Sequence, residues 1–419
     1  MTNLFIKCIV HSAKCMVVDF YINRHTRRNS ALCALRSTLI KMVSITKCTS
    51  YEMPEVLNAL AENINNLGGL SGIINKGDTV AVKLNLVSAI KPERAATTHP
   101  AVCEALAKLL LDYGAAKVIF VDSPGGAYSK EHLSKVYRIC GITAAAEKSG
   151  AVLNEDFTFT EVSFKEAAVG KRMEIINALL NADAVINVAK MKAHSFTGYT
   201  GAVKNLFGAI PGMQKVQMHS IHPNLSRFCD FLIDIEQCLK DKIKLHIIDG
   251  IIGMEGAGPT AGQPVSTNVL ISSANPYHAD LAMLKIMAEN PLRMPLINCA
   301  AERNLIKKDD IGNVQITGAD INGLIISKFK KVKTVDNAFL ISKVPGIMRK
   351  FITSRPKIKR NCKGCGKCVE HCPQKTMFIK GKKAKIKYKQ CISCYCCQEL
   401  CPFLAVKIKT PLFAKIFRK

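Results

Sequence analysis

The chain has 419 residues, of which 48% are hydrophobic and 22% are charged, and its formal net charge is +27. A chain of this length exceeds one small domain, so we expect two or three domains. Its apolar stretches are too short to span a bilayer, and the first residues lack the continuous apolar segment of a secretory signal. These features argue against transmembrane helices and predict a cytoplasmic protein.

The positive charge is concentrated near the C-terminus. Residues 328–419 contain 25 lysines and arginines and three acids, whereas the segment 42–327 is nearly neutral. An electrostatic partner should therefore meet the basic tail. We expect this partner to be an acidic redox protein or an anionic surface.

Residues 1–41 have no clear periodicity, and we predict that they form an N-terminal extension outside the folded body. Met42 could initiate translation, in which case the extension is not translated. From Met42 onwards, apolar alternation and helical patterns succeed one another. The predicted strands cover 78–87, 116–126, 182–190, 242–250 and 266–275, and the predicted helices cover 99–115, 129–148 and 276–289. Residues 42–326 therefore predict an α/β body with a mostly parallel sheet, mixed at its edges, and helices on both faces.

Polar residues collect just after the predicted strands, at the sheet edge where open α/β folds bind ligands. They are Lys83, Asn85, Asp122, Lys190, Lys192, His194, Asp249 and Glu255. Turn chemistry alone explains an aspartate or asparagine after a strand. It does not explain the lysines together with the histidine.

The stretch "KMKAHSFTGYTGAVKNLFG" (190–208) carries the densest chemistry of the body. Alternation along a strand places Lys190, Lys192 and His194 on one face. The amides before "AVKNLFG" could open a helix onto an anion. We predict an anionic ligand site with His194, Lys192 and Lys204 as catalytic residues and with His194 as proton donor or metal ligand. The ligand-binding candidates are Lys83, Asn85, Lys190, Gly201, Asn205, Asp249 and Glu255. The alternative is a structural loop.

Two further readings of the body stay open. Asp249 and Glu255 could complete a metal site with His99 and His219. The glycine-rich "GMEGAGPTAG" (253–262) matches no nucleotide-binding fingerprint, and it could cradle an anion or form a wide loop.

The tail contains two segments, "CKGCGKCVEHCP" (362–373) and "CISCYCCQELCP" (391–402), that repeat the C-x2-C-x2-C-x3-C-P spacing of bacterial 4Fe-4S sites. The fourth cysteine of each run ligates the other cluster. Zinc is the alternative, but it usually takes two separated C-x2-C pairs. We therefore predict two 4Fe-4S clusters, with Cys396 as a non-ligating thiol. One is held by Cys362, Cys365, Cys368 and Cys401, and the other by Cys391, Cys394, Cys397 and Cys372.

Residues 361–410 resemble the bacterial two-cluster ferredoxins in these motifs, which implies a small α+β unit that transfers single electrons. Lysines alternate along "KTMFIKGKKAKIKYKQ" (375–390), which predicts a hairpin turning at Gly381 with one lysine-lined face. Soluble members of that family are usually acidic, whereas this tail is basic. The segments 327–360 and 411–419 are predicted to be a basic linker and a basic tail.

The body resembles the domain of unknown function 362 family in "VKLNL", "TTHP", "INVAKMKAHSFTGYTGAVKNLFGAIPG", "HIIDGIIGMEGAGPTAGQP" and "ANPYHAD". The resemblance covers about residues 43–305. It implies an α/β body, often fused to a two-cluster ferredoxin, without an assigned reaction. Leu84 stands where that family leads us to expect proline, and we expect this change to loosen the strand end.

Three functions follow from these features. The first is a redox enzyme of the oxidoreductase class, in which the ferredoxin unit exchanges electrons with an anionic substrate or cofactor in the body. The second is an electron-transfer protein whose body is a docking or accessory domain. Nucleic-acid binding is the weakest, because the basic tail contains no recognised reader module.

Overall fold

The computed structural model describes residues 42–332, which form the body, and residues 353–411, which form a small C-terminal unit. The predictions for the N-terminal extension and for the last eight residues lie outside the described residues. Residues 333–352 of the predicted linker also lie outside the described residues. Within the two described ranges, no helix is long and apolar enough to cross a membrane.

The strands of the body are β1 (Met42–Lys47), β2 (Thr79–Lys83), β3 (Lys117–Val121), β4 (Val152–Leu153), β5 (Phe159–Ser163), β6 (Arg172–Ile176), β7 (Ala184–His194), β8 (Gly198–Thr200), β9 (Ile243–Glu255), β10 (Gln263–Ser273) and β11 (Gln315–Gly318). Its α-helices are α1 (Met53–Asn65), α2 (Pro100–Tyr113), α3 (Lys130–Ile139), α4 (Ile142–Ser149), α5 (Asn177–Leu180), α6 (Ala202–Asn205), α7 (Gln214–Ile221), α8 (Leu225–Leu239), α9 (Pro276–Ile286) and α10 (Pro295–Glu302).

One large sheet organises the body, with the strand order β11-β1-β10-β9-β7-β2-β3-β4 and with β8 folded back onto β7. The strands from β9 to β4 along this order run parallel to one another. The α/β fold class is confirmed. However, β10 is antiparallel to both β1 and β9, so the mixed part lies inside the sheet and not only at its edges. The cause is the short loop between β9 and β10, which can only join antiparallel neighbours.

The central strand β7 is buried along its whole length. Successive side chains enter different hydrophobic cores, since Val185 packs in one core and Ile186 in the other. Strands covered on both faces are typical of parallel sheets. The sequence pattern therefore identified the strand but ended it at residue 190, four residues too early.

Glycines set the helix boundaries on one side of the sheet. Helix α2 ends at Tyr113, and the next residue, Gly114, has a φ of 115° in the left-handed region. The helix predicted over 129–148 is two helices, because Gly141 adopts a φ of 76° between α3 and α4. Leu84 does not loosen its strand end, since its N–H donates to the carbonyl of Val121 at 2.8 Å, a bond that proline could not make.

The C-terminal unit contains β12 (Arg355–Ile358), α11 (Lys367–Glu370), β13 (Met377–Lys380), β14 (Lys383–Ile386), α12 (Cys396–Glu399) and β15 (Val406–Lys409). Strands β13 and β14 form the predicted hairpin around Gly381. Strand β12 pairs with β15, although the sequence assigned residues 355–358 to the linker. A small apolar core that includes Met377 and Val406 joins the two strand pairs.

Candidate functional site

Strand register explains why two of the predicted ligand-binding lysines lie in closed ion pairs. Lys190 on β7 lies opposite Asp249 on β9, and its ammonium is 2.7 Å from the Asp249 carboxylate and 2.7 Å from the Tyr51 hydroxyl. Lys83 at the end of β2 is 2.6 Å from the Asp122 carboxylate. Both lysines are buried, and neither lines the large cavity of the body.

Lys192, two residues after Lys190, has a different environment. Its ammonium donates to the side-chain oxygen of Asn85 at 2.5 Å and to the carbonyl of Ala96 at 2.7 Å. Among the described residues, no carboxylate lies within ion-pair distance of it. Burial, followed by the charges of Lys204 and Lys190, lowers the pKa of Lys192 to about 7.

The helix α6 that carries Lys204 does not open onto a ligand. The N–H groups of Ala202 and Val203 donate to the carboxyl group of Asp280 at 2.5 and 3.3 Å. A Cβ atom on Gly201 would lie 2.1 Å from an oxygen of Asp280. Gly201 therefore allows Asp280 to cap α6, and the predicted role of these amides in holding a ligand is taken by a side chain of the body itself.

His194 ends β7 with a defined tautomer. Its Nδ1 accepts from the N–H groups of Phe196 and Thr197, at 3.1 and 3.3 Å, so the proton of the neutral ring is on Nε2. Burial and the charge of Lys204 lower the pKa of His194 to about 4. Nε2 lies 3.1 Å from a carboxylate oxygen of Glu399, but the two atoms are not aligned as a hydrogen bond.

The body and the C-terminal unit together line a cavity with about 780 Å³ of empty space, including part of its open mouth. Its polar wall includes Asn85, Ser123, Lys192, His194, Thr200, Lys204, Asn205, Lys215 and His219. Three of these residues carry buried polar atoms without a hydrogen-bond partner among the described residues, namely Nε2 of His194, the Thr200 hydroxyl and Nδ1 of His219. Orphaned buried atoms next to uncompensated lysines suit an anionic ligand.

Part of the cavity wall belongs to the C-terminal unit. Cys396, Glu399 and Leu400, on or next to α12, face the same space as the lysines of the body. The glycine-rich loop holds α12 in place, because the Thr260 hydroxyl donates to the carbonyl of Glu399 at 3.0 Å and Gln398 donates to the carbonyl of Ala257 at 3.4 Å. These contacts are those of a wide loop that binds α12. The anion cradle stays a prediction.

Two smaller cavities lie within the C-terminal unit, and their linings match the predicted cluster ligands. The first, of about 340 Å³, is lined by Cys362, Cys365, Cys368 and Cys401. The second, of about 330 Å³, is lined by Cys372, Cys391, Cys394 and Cys397. Four thiols around one enclosed space fit a 4Fe-4S cluster in each case. Cys396 lies outside both sets and faces the cavity of the body.

Comparisons with known proteins agree with this division. Residues 80–285 match the domain of unknown function (DUF362), and residues 361–405 match a 4Fe-4S dicluster domain. The chain carries both domains in this order. The dicluster domain implies two 4Fe-4S clusters and iron–sulfur electron transfer. We call residues 353–411 the ferredoxin domain from here on.

The chain is 28% identical over 271 residues to a thylakoid-associated protein of Synechocystis sp., a match that covers 63% of this chain and 80% of that protein. Among solved structures, it resembles a lactate racemase apoprotein from Thermoanaerobacterium thermosaccharolyticum (14% identity, TM-score 0.39, 58% of this chain and 57% of that one). It also resembles a protein from Thermotoga maritima (12% identity, TM-score 0.30, 48% and 51%). The chain thus spans little more than half of each solved structure, and similarities this low have no bearing on function.

The structure brings together only some of the residues that the sequence selected. The predicted residues on the cavity wall are Asn85, Asp122, Lys192, His194, Lys204, Asn205 and His219. Lys83, Lys190 and Asp249 are in the closed pairs, and Glu255 lies 2.7 Å from the ammonium of Lys330. Sequence reasoning missed Ser123, Thr200, Lys215 and Glu399. Glu399 is inside the second cysteine motif, but no sequence signal shows that it would face the body.

The proposed metal site of the body is not assembled. The ring of His99 stacks on Tyr51 with 3.4 Å between ring centroids, and the backbone N–H of His99 donates to the Asp249 carboxylate at 3.0 Å. His219, by contrast, lines the large cavity. Within residues 42–332, no group of three or more histidine, cysteine or acidic side chains is placed so that it could hold a single metal ion.

Proposed function

We propose that the protein is an oxidoreductase in which the ferredoxin domain passes single electrons to or from a small anionic substrate or cofactor bound in the cavity between the two domains. The observation that carries this proposal is the shared wall. Cys396, Glu399 and Leu400 line the cavity. The same short segment, residues 394–401, also contains Cys394, Cys397 and Cys401, which line the two cluster cavities. A ligand in the cavity would thus lie next to the segment that holds both clusters.

The charge of the cavity supports an anionic ligand. Lys192, Lys204 and Lys215 face the space, together with two carboxylates: Glu399, which is 3.1 Å from His194, and Asp122, which is paired with Lys83. Lys215 donates to the Ser123 hydroxyl at 3.0 Å and to the carbonyl of Ile210 at 2.7 Å, and burial lowers its pKa to about 7. An anion would compensate the positive charge of these lysines, because an isolated charge is costly to remove from water.

Electrons would enter through the exposed side of the ferredoxin domain. Cys365 is exposed, and Lys383, Lys385 and Lys387 on or beside the hairpin are exposed as well. An acidic redox protein would be steered towards such a surface. The acidic partner therefore remains part of the proposal.

The test uses single-turnover oxidation under anaerobic conditions. Small molecules released from the heat-denatured protein are added back to dithionite-reduced protein after removal of the reductant. We expect the visible absorption of the clusters to recover in the wild type and in the exposed control Lys385→Met, and to recover much more slowly in Lys204→Met. Equal recovery in all three proteins, or no recovery, would favour a body that only docks or supports the ferredoxin domain.

A further inference from the structure

Lys192 is the most deeply buried of the cavity lysines, with 1% of its surface exposed. Its amine is held by two neutral acceptors, the side-chain oxygen of Asn85 and the carbonyl of Ala96. A tetrahedral nitrogen with one carbon and two hydrogen-bond partners has one position left. Lys192 lines the cavity, so a ligand there would have to approach the amine at this remaining position.

A chain of amides fixes the orientation of Asn85. Its NH2 group donates to Asn205 at 2.7 Å, the NH2 group of Asn205 donates to Asn187 at 2.8 Å, and Asn187 contacts Nδ1 of His246 at 2.9 Å. With every NH2 group engaged, the oxygen of Asn85 must face Lys192. The amine is therefore positioned by groups that accept its protons without requiring it to be charged.

The electrostatics agree with this geometry. Burial and two neighbouring lysines lower the pKa of Lys192 to about 7, so a large share of the amine is neutral at neutral pH. Lysines that are desolvated or placed next to another cation are the ones that act as amine nucleophiles. Lys83 and Lys190, by contrast, each have a carboxylate at hydrogen-bond distance.

We propose that Lys192 forms a reversible imine with a small 2-oxo acid in the cavity, an assignment that rests on the proposed function for its choice of ligand site. The amine nitrogen bonds to the carbonyl carbon, and the carbonyl oxygen leaves as water with the two protons of the amine. No oxidant or reductant is needed. Lys204 would bind the carboxylate of the ligand, because its ammonium has no hydrogen-bond partner among the described residues and lies 5.8 Å from the ring of Phe207.

The experiment is borohydride trapping with pyruvate as the probe, on full-length anaerobic protein that contains both clusters. Borohydride delivers hydride to the imine carbon, and water supplies a proton to the nitrogen, which leaves a stable secondary amine. Peptide mapping by mass spectrometry then locates the modified lysine. At pH 7 the neutral fraction of an amine with a pKa near 7 exceeds that of an ordinary exposed lysine by roughly a thousandfold.

We expect the label on Lys192, with the exposed Lys385 as internal reference, and a trapping rate that rises with pH through about 7. Lys192→Arg should abolish the label, and the exposed control Lys385→Met should retain it. A label on Lys215, or one spread evenly over exposed lysines, overturns the proposal, and the wild-type peptide map decides this even where a variant does not fold. Trapping requires no electron transfer, so an imine without cluster oxidation would refute only the proposed function, and cluster oxidation without an imine would refute only this inference.

Discussion

Two groups of lysines meet at one edge of the sheet, and they differ in what compensates their charge. Lys83 and Lys190 each contact a carboxylate on a neighbouring strand or directly after it. Lys192, Lys204 and Lys215 face a cavity and have no carboxylate within ion-pair distance among the described residues. The first group is explained by the fold alone. The second group has no such partner, and a bound anion would favour the charged form of its amines.

The same contrast divides the cysteines of the ferredoxin domain, and it gives the largest effect that we predict. Cys394 lines a cluster cavity, whereas its near neighbour Cys396 faces the body. Anaerobic wild-type protein should contain about eight irons and eight sulfides per chain, as two cubane clusters require. Cys394→Ser should lower the iron content towards half, and Cys396→Ser should leave it unchanged. Stoichiometric zinc without visible cluster absorption would contradict the assignment.

The next effect compares the two lysines on β7 directly. Lys190→Met leaves the Asp249 carboxylate buried without a cation, which should lower the free energy of unfolding by about 3–5 kcal/mol. Lys192→Met leaves two neutral acceptors unpaired, for a smaller loss of roughly 1–3 kcal/mol. Denaturant titrations of the two variants provide the measurement. Equal losses would mean that the paired and unpaired lysines play the same structural role.

Sequence reasoning was strongest where a pattern is local. The spacing of the eight cysteines predicted two sets, and each set lines one cavity of the structure. Lys192, His194 and Lys204 were identified because they crowd one short stretch after a strand. In these cases, neighbours in sequence are also neighbours in the site.

It failed where the contact depends on strand register or domain docking. The pairing of Lys190 with Asp249 follows from a parallel register between strands 59 residues apart in sequence. Asp280 occupies the amides of α6 from a helix 78 residues further along the chain. The approach of Glu399 to His194 depends on how the ferredoxin domain packs on the body. None of these contacts leaves a trace in local residue spacing.

A smaller effect concerns the exposed lysines of the hairpin, which, unlike the two groups above, lie on the surface where a partner protein could bind. Replacing Lys383, Lys385 and Lys387 together by glutamate should slow electron exchange with an acidic redox protein while both clusters are retained. In the wild type, the exchange rate should fall steeply with salt, because charges are screened over about 8 Å at physiological ionic strength. Salt-independent exchange in stopped-flow experiments would exclude steering by this surface.

The smallest effect is expected from deleting the N-terminal extension, which should change neither domain. Deleting residues 1–41 should leave the melting temperature and the iron content unchanged, since β1 begins at Met42 and already pairs with β10 and β11. A large loss of folded protein after this deletion would show that the extension is structural.

The central claim is that the cavity between the body and the ferredoxin domain holds a small anion. The most direct measurement is mass spectrometry of the small molecules bound to anaerobically purified wild type, His194→Ala and Lys204→Ala proteins. We predict an anionic molecule in the wild type that is lost or strongly depleted in both variants, while the iron content is preserved. If both variants retain every bound molecule, or if the wild type binds none, the stretch 190–208 is scaffold and the account of the cavity is wrong.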